Sequence, residues 1–166
     1  MAHKPLVLIV MGSDSDLPIM QETADILNKF GVDYEMRISS AHRSPRQTAE
    51  LASGAAGRGI RLIIAGAGMA AHLAGVVASE TTLPVIGVPL PGGALNGIDA
   101  LYSTVQMPGG IPVAAMAIGS AGARNAGIFA VQVLALTDPR LSEALCMHRL
   151  EMAQEVKQRD SAIQPA

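Results

Sequence analysis

The sequence predicts an α/β fold in which helices cover both faces of an open, parallel β-sheet. Five short apolar runs recur along the chain, and each is followed by a turn rich in Gly or Ser and then by a helical pattern. Taken together the runs are predominantly apolar, which is typical of strands buried on both faces. We therefore expect five β–α units in one doubly wound, three-layer sandwich that ends in a C-terminal helix.

The first two units have clear boundaries. Strands are predicted at residues 6–11 and 34–38. The helix between them has Met20, Ala24 and Leu27 on one face, with Ser15 or Asp16 as its N-cap and Gly31 at its end. The sequence Ser44-Pro45 pairs a capping residue with a proline suited to the first helical position, so the second helix should run from Pro45 to about Gly57.

The remaining units follow the same pattern. Further strands are predicted at residues 62–65, 84–88 and 113–118, and His72 is expected about one turn inside the third helix. A last helix should follow Asp138-Pro139, and residues 161–166 are expected to fray as a disordered tail.

Length and charge limit what the chain can be. Its 166 residues suit a single domain spanning 1–166, and a net charge of −2 gives no broad positive field for nucleic acid or an anionic membrane. Cys146 is the only cysteine, so an internal disulfide is excluded and a reducing cytoplasm is expected. No export signal or membrane span is expected either.

The middle of the chain is almost free of charge. Between residues 62 and 136 the charged side chains are Glu80, Asp99 and Arg124. A monomer of this size has too much surface to hide such a segment, so we expect it to form subunit interfaces in a homo-oligomer.

The turn after the first strand is a candidate anion site. Gly12 opens it, and the backbone N–H groups and the Ser13 hydroxyl there suit a phosphate, whereas Asp16 suits the hydroxyl groups of a ribose. The same residues would also make an ordinary capped strand-to-helix turn with no ligand. The turn by itself favours neither interpretation.

The turn after the second strand carries a histidine and an arginine. Arg43 stands at the positive end of a helix, which is unfavourable unless an anion lies between them. The neighbouring His42 is a candidate proton carrier, because imidazole is the side chain that ordinarily titrates nearest neutral pH. An isolated loop histidine more often has a surface or structural role, but the combination of His42 with Ser40, Arg43 and the first turn favours catalysis.

The turn after the third strand is rich in glycine but does not resemble a nucleoside triphosphate loop. Residues 65–73 have neither the spacing GxGxxG nor the lysine of a Walker motif. Their glycines suit a pocket wall made of backbone, while His72 has the alternative role of a buried core histidine. Residues 103–113, with two prolines and two glycines, either close the pocket of a neighbouring subunit or form a rigid connection.

Five segments taken together resemble the N5-carboxyaminoimidazole ribonucleotide mutase family. They are MGSDSD at 11–16, SAHRSP at 40–45, GAGMAAHL at 66–73, SxVQMPGGIPV at 103–113 and GSAGARNAG at 119–127. The resemblance implies a flavodoxin-like subunit in a homo-octamer, with active sites at subunit contacts. It also implies transfer of a carboxylate from the exocyclic nitrogen to ring carbon C4 of a ribonucleotide, through CO₂ and without ATP, metal or organic cofactor.

The resemblance also assigns residues. It implies that His42 is the general acid/base and that His72, the second catalytic candidate, lines the base and CO₂ pocket. The implied substrate-binding residues are Ser13, Asp16, Ser40, Arg43, Ala67, Gly68 and Leu73.

The resemblance extends to a branch of the family. The related carboxylases, which use free CO₂ directly, have Lys after the motif histidine and lack the second histidine, so Arg43 and His72 favour the mutase branch. Met69 and Ala74 depart from the Gly and Pro that are usual at those positions.

Two other functions compete with this one. A flavodoxin-like electron carrier is disfavoured by the lack of Trp and by only two Tyr and two Phe, since flavin rings usually stack on aromatic side chains. A non-catalytic nucleotide-binding oligomer would bind the ribonucleotide without turnover.

Overall fold

Five parallel strands form the central sheet of the protein, whose structure, a computed structural model, describes residues 4–163. Their bounds are β1 Val7–Met11, β2 Tyr34–Ile38, β3 Leu62–Gly68, β4 Val85–Leu90 and β5 Ala114–Ala115. The strand order is β2-β1-β3-β4-β5, which is typical of flavodoxin-like folds. All neighbouring pairs are parallel, so the predicted fold class is confirmed.

Six α-helices lie between or after the strands within residues 4–163. Their bounds are α1 Leu17–Lys29, α2 Pro45–Ser53, α3 Leu73–Ser79, α4 Ile98–Val105, α5 Ser120–Ala135 and α6 Pro139–Ile163. Short 3₁₀ helices lie at Asp14–Asp16 and Ala56–Arg58. The predicted start of α2 at Pro45 is confirmed, but α2 ends at Ser53 and a 3₁₀ turn replaces its expected last turn.

The core lies on the two faces of the central strands β1 and β3. Leu8 and Val10 belong to a buried cluster with residues of α2 and α3, whereas α1 packs on the other face. A Cβ built on Gly66 would lie only 3.0 Å from Cγ of Met20, a fully buried residue of α1. The missing side chain at Gly66 therefore lets α1 approach the sheet next to the first turn.

Two strand predictions need correction. The second strand was expected to be buried on both faces, but β2 is an edge strand, and Arg37 and Ile38 are exposed. The fifth was expected at residues 113–118, but β5 contains only Ala114 and Ala115, which pair with Ile86 and Gly87. Each departure follows from the position of the strand at an edge of the sheet.

The chain divides into two compact units, the first ending at Ala130 and the second beginning at Val131. The single domain expected from the length stays a prediction. In the second unit α6 continues to Ile163, so residues 161–163 are helical and the rest of the predicted tail lies outside the described residues. Within residues 4–163 no helix is long and apolar enough to cross a membrane.

Candidate active site

The turns that follow β1 to β4 surround one cavity at the carboxyl edge of the sheet. Its volume is about 530 Å³. The edge here is the point where strand order reverses, because the neighbouring strands β1 and β3 lead into α1 and α3, which pack on opposite faces of the sheet. Of the predicted site residues, the cavity is lined by Ser13, Asp16, Ser40, His42, Arg43, Ala67, Gly68 and Leu73.

The first turn is built as a capped turn and also faces the cavity. The backbone N–H of Ser13 donates to Asp16 Oδ2 at 3.0 Å, and the N–H of Ser15 donates to Ser13 Oγ at 3.4 Å. The Ser13 hydroxyl donates to Asp14 Oδ1 at 2.9 Å. The capped strand-to-helix turn that was the alternative to an anion site is therefore present. The same groups also lie at the cavity wall.

The two carboxylates of this turn differ in their electrostatics. The hydrogen bond from the Ser13 hydroxyl lowers the pKa of Asp14, and the N–H of Ser15 adds to the effect. Burial raises the pKa of Asp16, against the opposing effect of the N–H groups of Ser13 and Gly12. Asp16 is thus the half-buried acceptor of the pair, which suits hydroxyl groups better than a second anion.

Arg43 ties the second turn to the first. Its Nη2 donates to the carbonyl oxygen of Gly12 at 2.9 Å, and its Nε donates to Ser40 Oγ at 3.4 Å. Ser40 Oγ also accepts the backbone N–H of Arg43 at 3.2 Å. A guanidinium has five N–H donors, so these contacts fix its direction and leave further donors for an anion in the cavity.

His42 and His72 form a hydrogen-bonded pair. The distance from His42 Nε2 to His72 Nδ1 is 2.9 Å, and the ring centroids are 5.0 Å apart with the planes at 81°. The hydrogen bond needs a hydrogen on one of these two nitrogens and a lone pair on the other, so the tautomers decide which ring donates. When His42 carries a second proton, both of its ring nitrogens are donors, and His72 Nδ1 then accepts from Nε2. The hydrogen bond from His42 Nε2 to His72 therefore stays in place when His42 carries a proton for transfer.

The structure places His72 differently from the sequence prediction. His72 is the residue before α3, not a residue one turn inside it. It is exposed, so the alternative of a buried core histidine is wrong. It contacts His42 and is not part of the cavity wall as described over residues 4–163, where the neighbouring Leu73 is.

A tight turn after β3 brings His72 to this position. The N–H of Ala71 donates to the carbonyl oxygen of Met69 at 2.9 Å, and the N–H of His72 donates to that of Ala70 at 2.8 Å. Met69 itself adopts a left-handed backbone with φ 55°. The chain reverses within four residues and starts α3 only after His72.

The cavity has two chemically different ends. The polar end consists of Ser13, Asp16, Ser40 and Arg43, and the apolar end consists of Ala67, Met69, Ala70, Leu73 and Pro91. His42 connects them, because it adjoins Arg43 in sequence and contacts the third turn through His72. Sequence reasoning missed Pro91 and Gly92 after β4, since proline and glycine there signalled only a turn.

Residues 103–113 do not line this cavity in the described part of the chain. Ser103, Thr104 and Val105 belong to α4, and Thr104 is buried, with its hydroxyl bonded to the carbonyl oxygen of Ala100 at 2.8 Å. The expectation that this segment closes the pocket of a neighbouring subunit stays a prediction.

Comparison with known proteins assigns the family. The sequence profile described as AIR carboxylase matches residues 6–155. The chain belongs to the AIR carboxylase family. The matched residues include all four turns around the cavity, so the family assignment applies to the site as well as to the sheet.

Relatives named as N5-carboxyaminoimidazole ribonucleotide mutases are identical to the chain at about half of the aligned residues. The N5-carboxyaminoimidazole ribonucleotide mutase of Pyrococcus horikoshii is 53% identical over 158 residues, which cover 95% of this chain and 88% of that protein. The mutase of Bacillus subtilis is 53% identical over 153 residues, which cover 92% and 94%. The crystal structure of Treponema denticola PurE superposes with a TM-score of 0.87 at 30% identity, covering 97% of this chain and 99% of that chain.

Proposed function

We propose that this member of the AIR carboxylase family converts N5-carboxyaminoimidazole ribonucleotide into 4-carboxy-5-aminoimidazole ribonucleotide, an isomerisation in purine biosynthesis. The observation that carries the proposal is the hydrogen-bonded pair of His42 and His72 at a cavity whose polar end holds Arg43. The names and the roughly half-identical sequences of the relatives support the same reaction.

The polar end suits the ribose phosphate. Arg43 supplies charge-assisted hydrogen bonds to the phosphate, together with the hydroxyls of Ser13 and Ser40. Asp16 accepts hydrogen bonds from the ribose hydroxyls. The volume of about 530 Å³ lies within the range usual for small-molecule sites.

His42 is the general acid/base of the proposed reaction. The bond between the exocyclic nitrogen and the carboxylate carbon breaks, its electron pair stays on nitrogen, and nitrogen takes a proton from His42. Ring carbon C4 then donates an electron pair to the carbon of CO₂, and His42 removes the proton from C4. One proton leaves His42 and one returns, so a single imidazole serves both transfers.

Holding CO₂ next to C4 is the other requirement. Ala67, Gly68 and Leu73 offer apolar and backbone surface around the imidazole ring of the substrate. Keeping the reacting partners together turns recarboxylation into an effectively unimolecular step, and such proximity contributes several kcal/mol.

We infer that the chain works as a cytoplasmic homo-oligomer, with an octamer as the expected form. Support comes from α4, which exposes Ile98, Tyr102 and Val105 on one face, at spacings of a helical stripe. The charge-poor composition of residues 62–136 supports the same inference.

The decisive test is to incubate the purified chain with N5-carboxyaminoimidazole ribonucleotide, without ATP or bicarbonate, and to follow the C4-carboxylated product. Formation of this product above the rate of a no-enzyme control is expected. Product formed only from the decarboxylated ribonucleotide and added bicarbonate would instead identify a direct carboxylase. Binding without any product would indicate a nucleotide-binding protein.

A further inference from the structure

Met69 has a backbone conformation that its side chain does not favour. Its φ is 55°, and among residues 4–163 the only other non-glycine residue with positive φ is Asn96, at 49°. Asparagine often adopts this left-handed region, whereas a long apolar side chain rarely does. A residue in an unfavourable backbone conformation persists only where the surrounding structure fixes that conformation. Residues of this kind cluster at active sites and ligand-binding sites.

The side chain of Met69 crosses from one turn of the cavity to another. A Cβ built on Gly93, in the turn after β4, would lie 3.6 Å from Cγ and 3.9 Å from Cε of Met69. The thioether thus packs over the bare backbone of Gly93. Met69 starts from the turn after β3, so its side chain spans the apolar end of the cavity.

Met69 is also part of the outer wall. It lines the cavity, yet it remains 60% exposed, so one side of its side chain faces the cavity and the other faces outward. Its neighbours in that wall are Ala70 and Pro91. None of these side chains offers a strong hydrogen-bonding group to water.

We propose that the side chain of Met69 closes the apolar end of the cavity and keeps released CO₂ beside C4 until it is reattached. This inference rests on the proposed function. Its physical basis is that closing a site with apolar groups excludes water and suppresses escape of a reactive intermediate. The left-handed backbone is what turns the side chain toward Gly93.

The role of Met69 is confined to the interval between two bond changes. CO₂ forms when the nitrogen–carbon bond breaks with its electron pair on nitrogen. It is consumed when C4 donates an electron pair to it, and the C4 proton returns to His42. Met69 forms no bond in either step, so it changes how much CO₂ escapes and not the balance of the reaction.

The test follows an isotopic label. Substrate carrying ¹³C in its carboxylate is converted by the full-length chain in buffer with unlabelled bicarbonate and added carbonic anhydrase. Mass spectrometry then gives the fraction of product that keeps ¹³C and the amount of decarboxylated ribonucleotide released. A sample without enzyme corrects for spontaneous loss of CO₂.

Three variants of Met69 separate the effect of its apolar side chain, which covers the cavity, from the effect of its backbone conformation. Met69→Ala keeps a Cβ at positive φ but removes the thioether, Met69→Gly removes both, and Met69→Leu keeps an apolar cover. Met152→Ala, at a 49% exposed methionine of α6, is the matched control for the loss of a methionine side chain.

The wild type, Met69→Leu and Met152→Ala are expected to retain most of the label. Met69→Ala and Met69→Gly are expected to lose it several-fold more and to release more decarboxylated ribonucleotide. Met69→Gly should also unfold at a higher urea concentration than Met69→Ala, because glycine adopts positive φ without strain.

Two results would overturn the assignment of Met69 while leaving the proposed function standing. One is equal retention of label in Met69→Ala and the wild type, and the other is complete exchange of the label by the wild type itself. If the wild type formed no C4-carboxylated product, the proposed function would fail, and the role of Met69 with it.

Discussion

Replacing His72 by leucine removes the hydrogen-bond acceptor that faces His42 Nε2 at 2.9 Å. The side chain of His72 is exposed and is not part of the cavity wall described over residues 4–163. We therefore expect a lower kcat with little change in KM, because His72 acts on His42 and not on the bound ribonucleotide.

The size of the effect follows from the kind of hydrogen bond that is lost. A bond to a charged group contributes about 1.5–3 kcal/mol, and exposure of both rings puts this one at the lower end. At about 1.4 kcal/mol per tenfold in rate, kcat should fall roughly tenfold. The measurement is the initial rate of C4-carboxylated product at saturating substrate.

Asparagine provides the matched control at this position. Its amide oxygen lies near the place of His72 Nδ1 and still accepts a hydrogen bond, so His72→Asn should retain more activity than His72→Leu. A wild-type kcat for His72→Leu would refute the pairing, and so would losses of kcat that are equal in His72→Leu and His72→Asn.

Three further substitutions test the phosphate contact, the Asp16 carboxyl group and a buried hydrogen bond. Arg43→Ala should weaken binding of the ribonucleotide by roughly tenfold or more in calorimetry, with Arg43→Lys intermediate, since a charge-assisted bond is lost; unchanged affinity would contradict the phosphate assignment. Burial raises the pKa of Asp16, so the folded chain binds this proton more tightly than the unfolded chain, and stability falls as pH rises from 3.8 through the raised pKa. Asp16→Asn removes that loss, and in urea unfolding its stability relative to wild type should be higher at about pH 7 than at about pH 4; a difference that does not change with pH would contradict this. Thr23→Val deletes a buried hydrogen bond of 2.8 Å to the carbonyl oxygen of Ala123 and should lower the free energy of unfolding by about 1–2 kcal/mol, whereas Thr23→Ser should lower it less; a loss as large with Thr23→Ser would contradict this.

Local patterns were sufficient for the sheet and its helices. The strand predicted at 34–38 matches β2 residue for residue, and Pro45 starts α2 as the pair Ser44-Pro45 predicts. The local patterns failed where the length of a strand depends on its pairing with the neighbouring strand. Residues 113–118 have the composition of a strand, but only Ala114 and Ala115 pair in register with β4, opposite Ile86 and Gly87.

The sequence predicts which turns form the site, but it does not predict which side chains of those turns contact one another. The convergence of Ser13, Ser40 and Arg43 follows from parallel strands whose carboxyl ends share one edge of the sheet. The contact between His42 and His72 does not follow from sequence, because it joins residues 30 positions apart and depends on the turn after β3. That turn requires positive φ at Met69, where residue type argues against it.

In the proposed reaction His42 moves the protons, while the polar end of the cavity holds the substrate. The most direct measurement is a parallel titration and turnover assay of His42→Asn with N5-carboxyaminoimidazole ribonucleotide. The variant is expected to bind the ribonucleotide with near wild-type affinity and to form no C4-carboxylated product above the uncatalysed rate. Turnover by His42→Asn at the wild-type rate would contradict it.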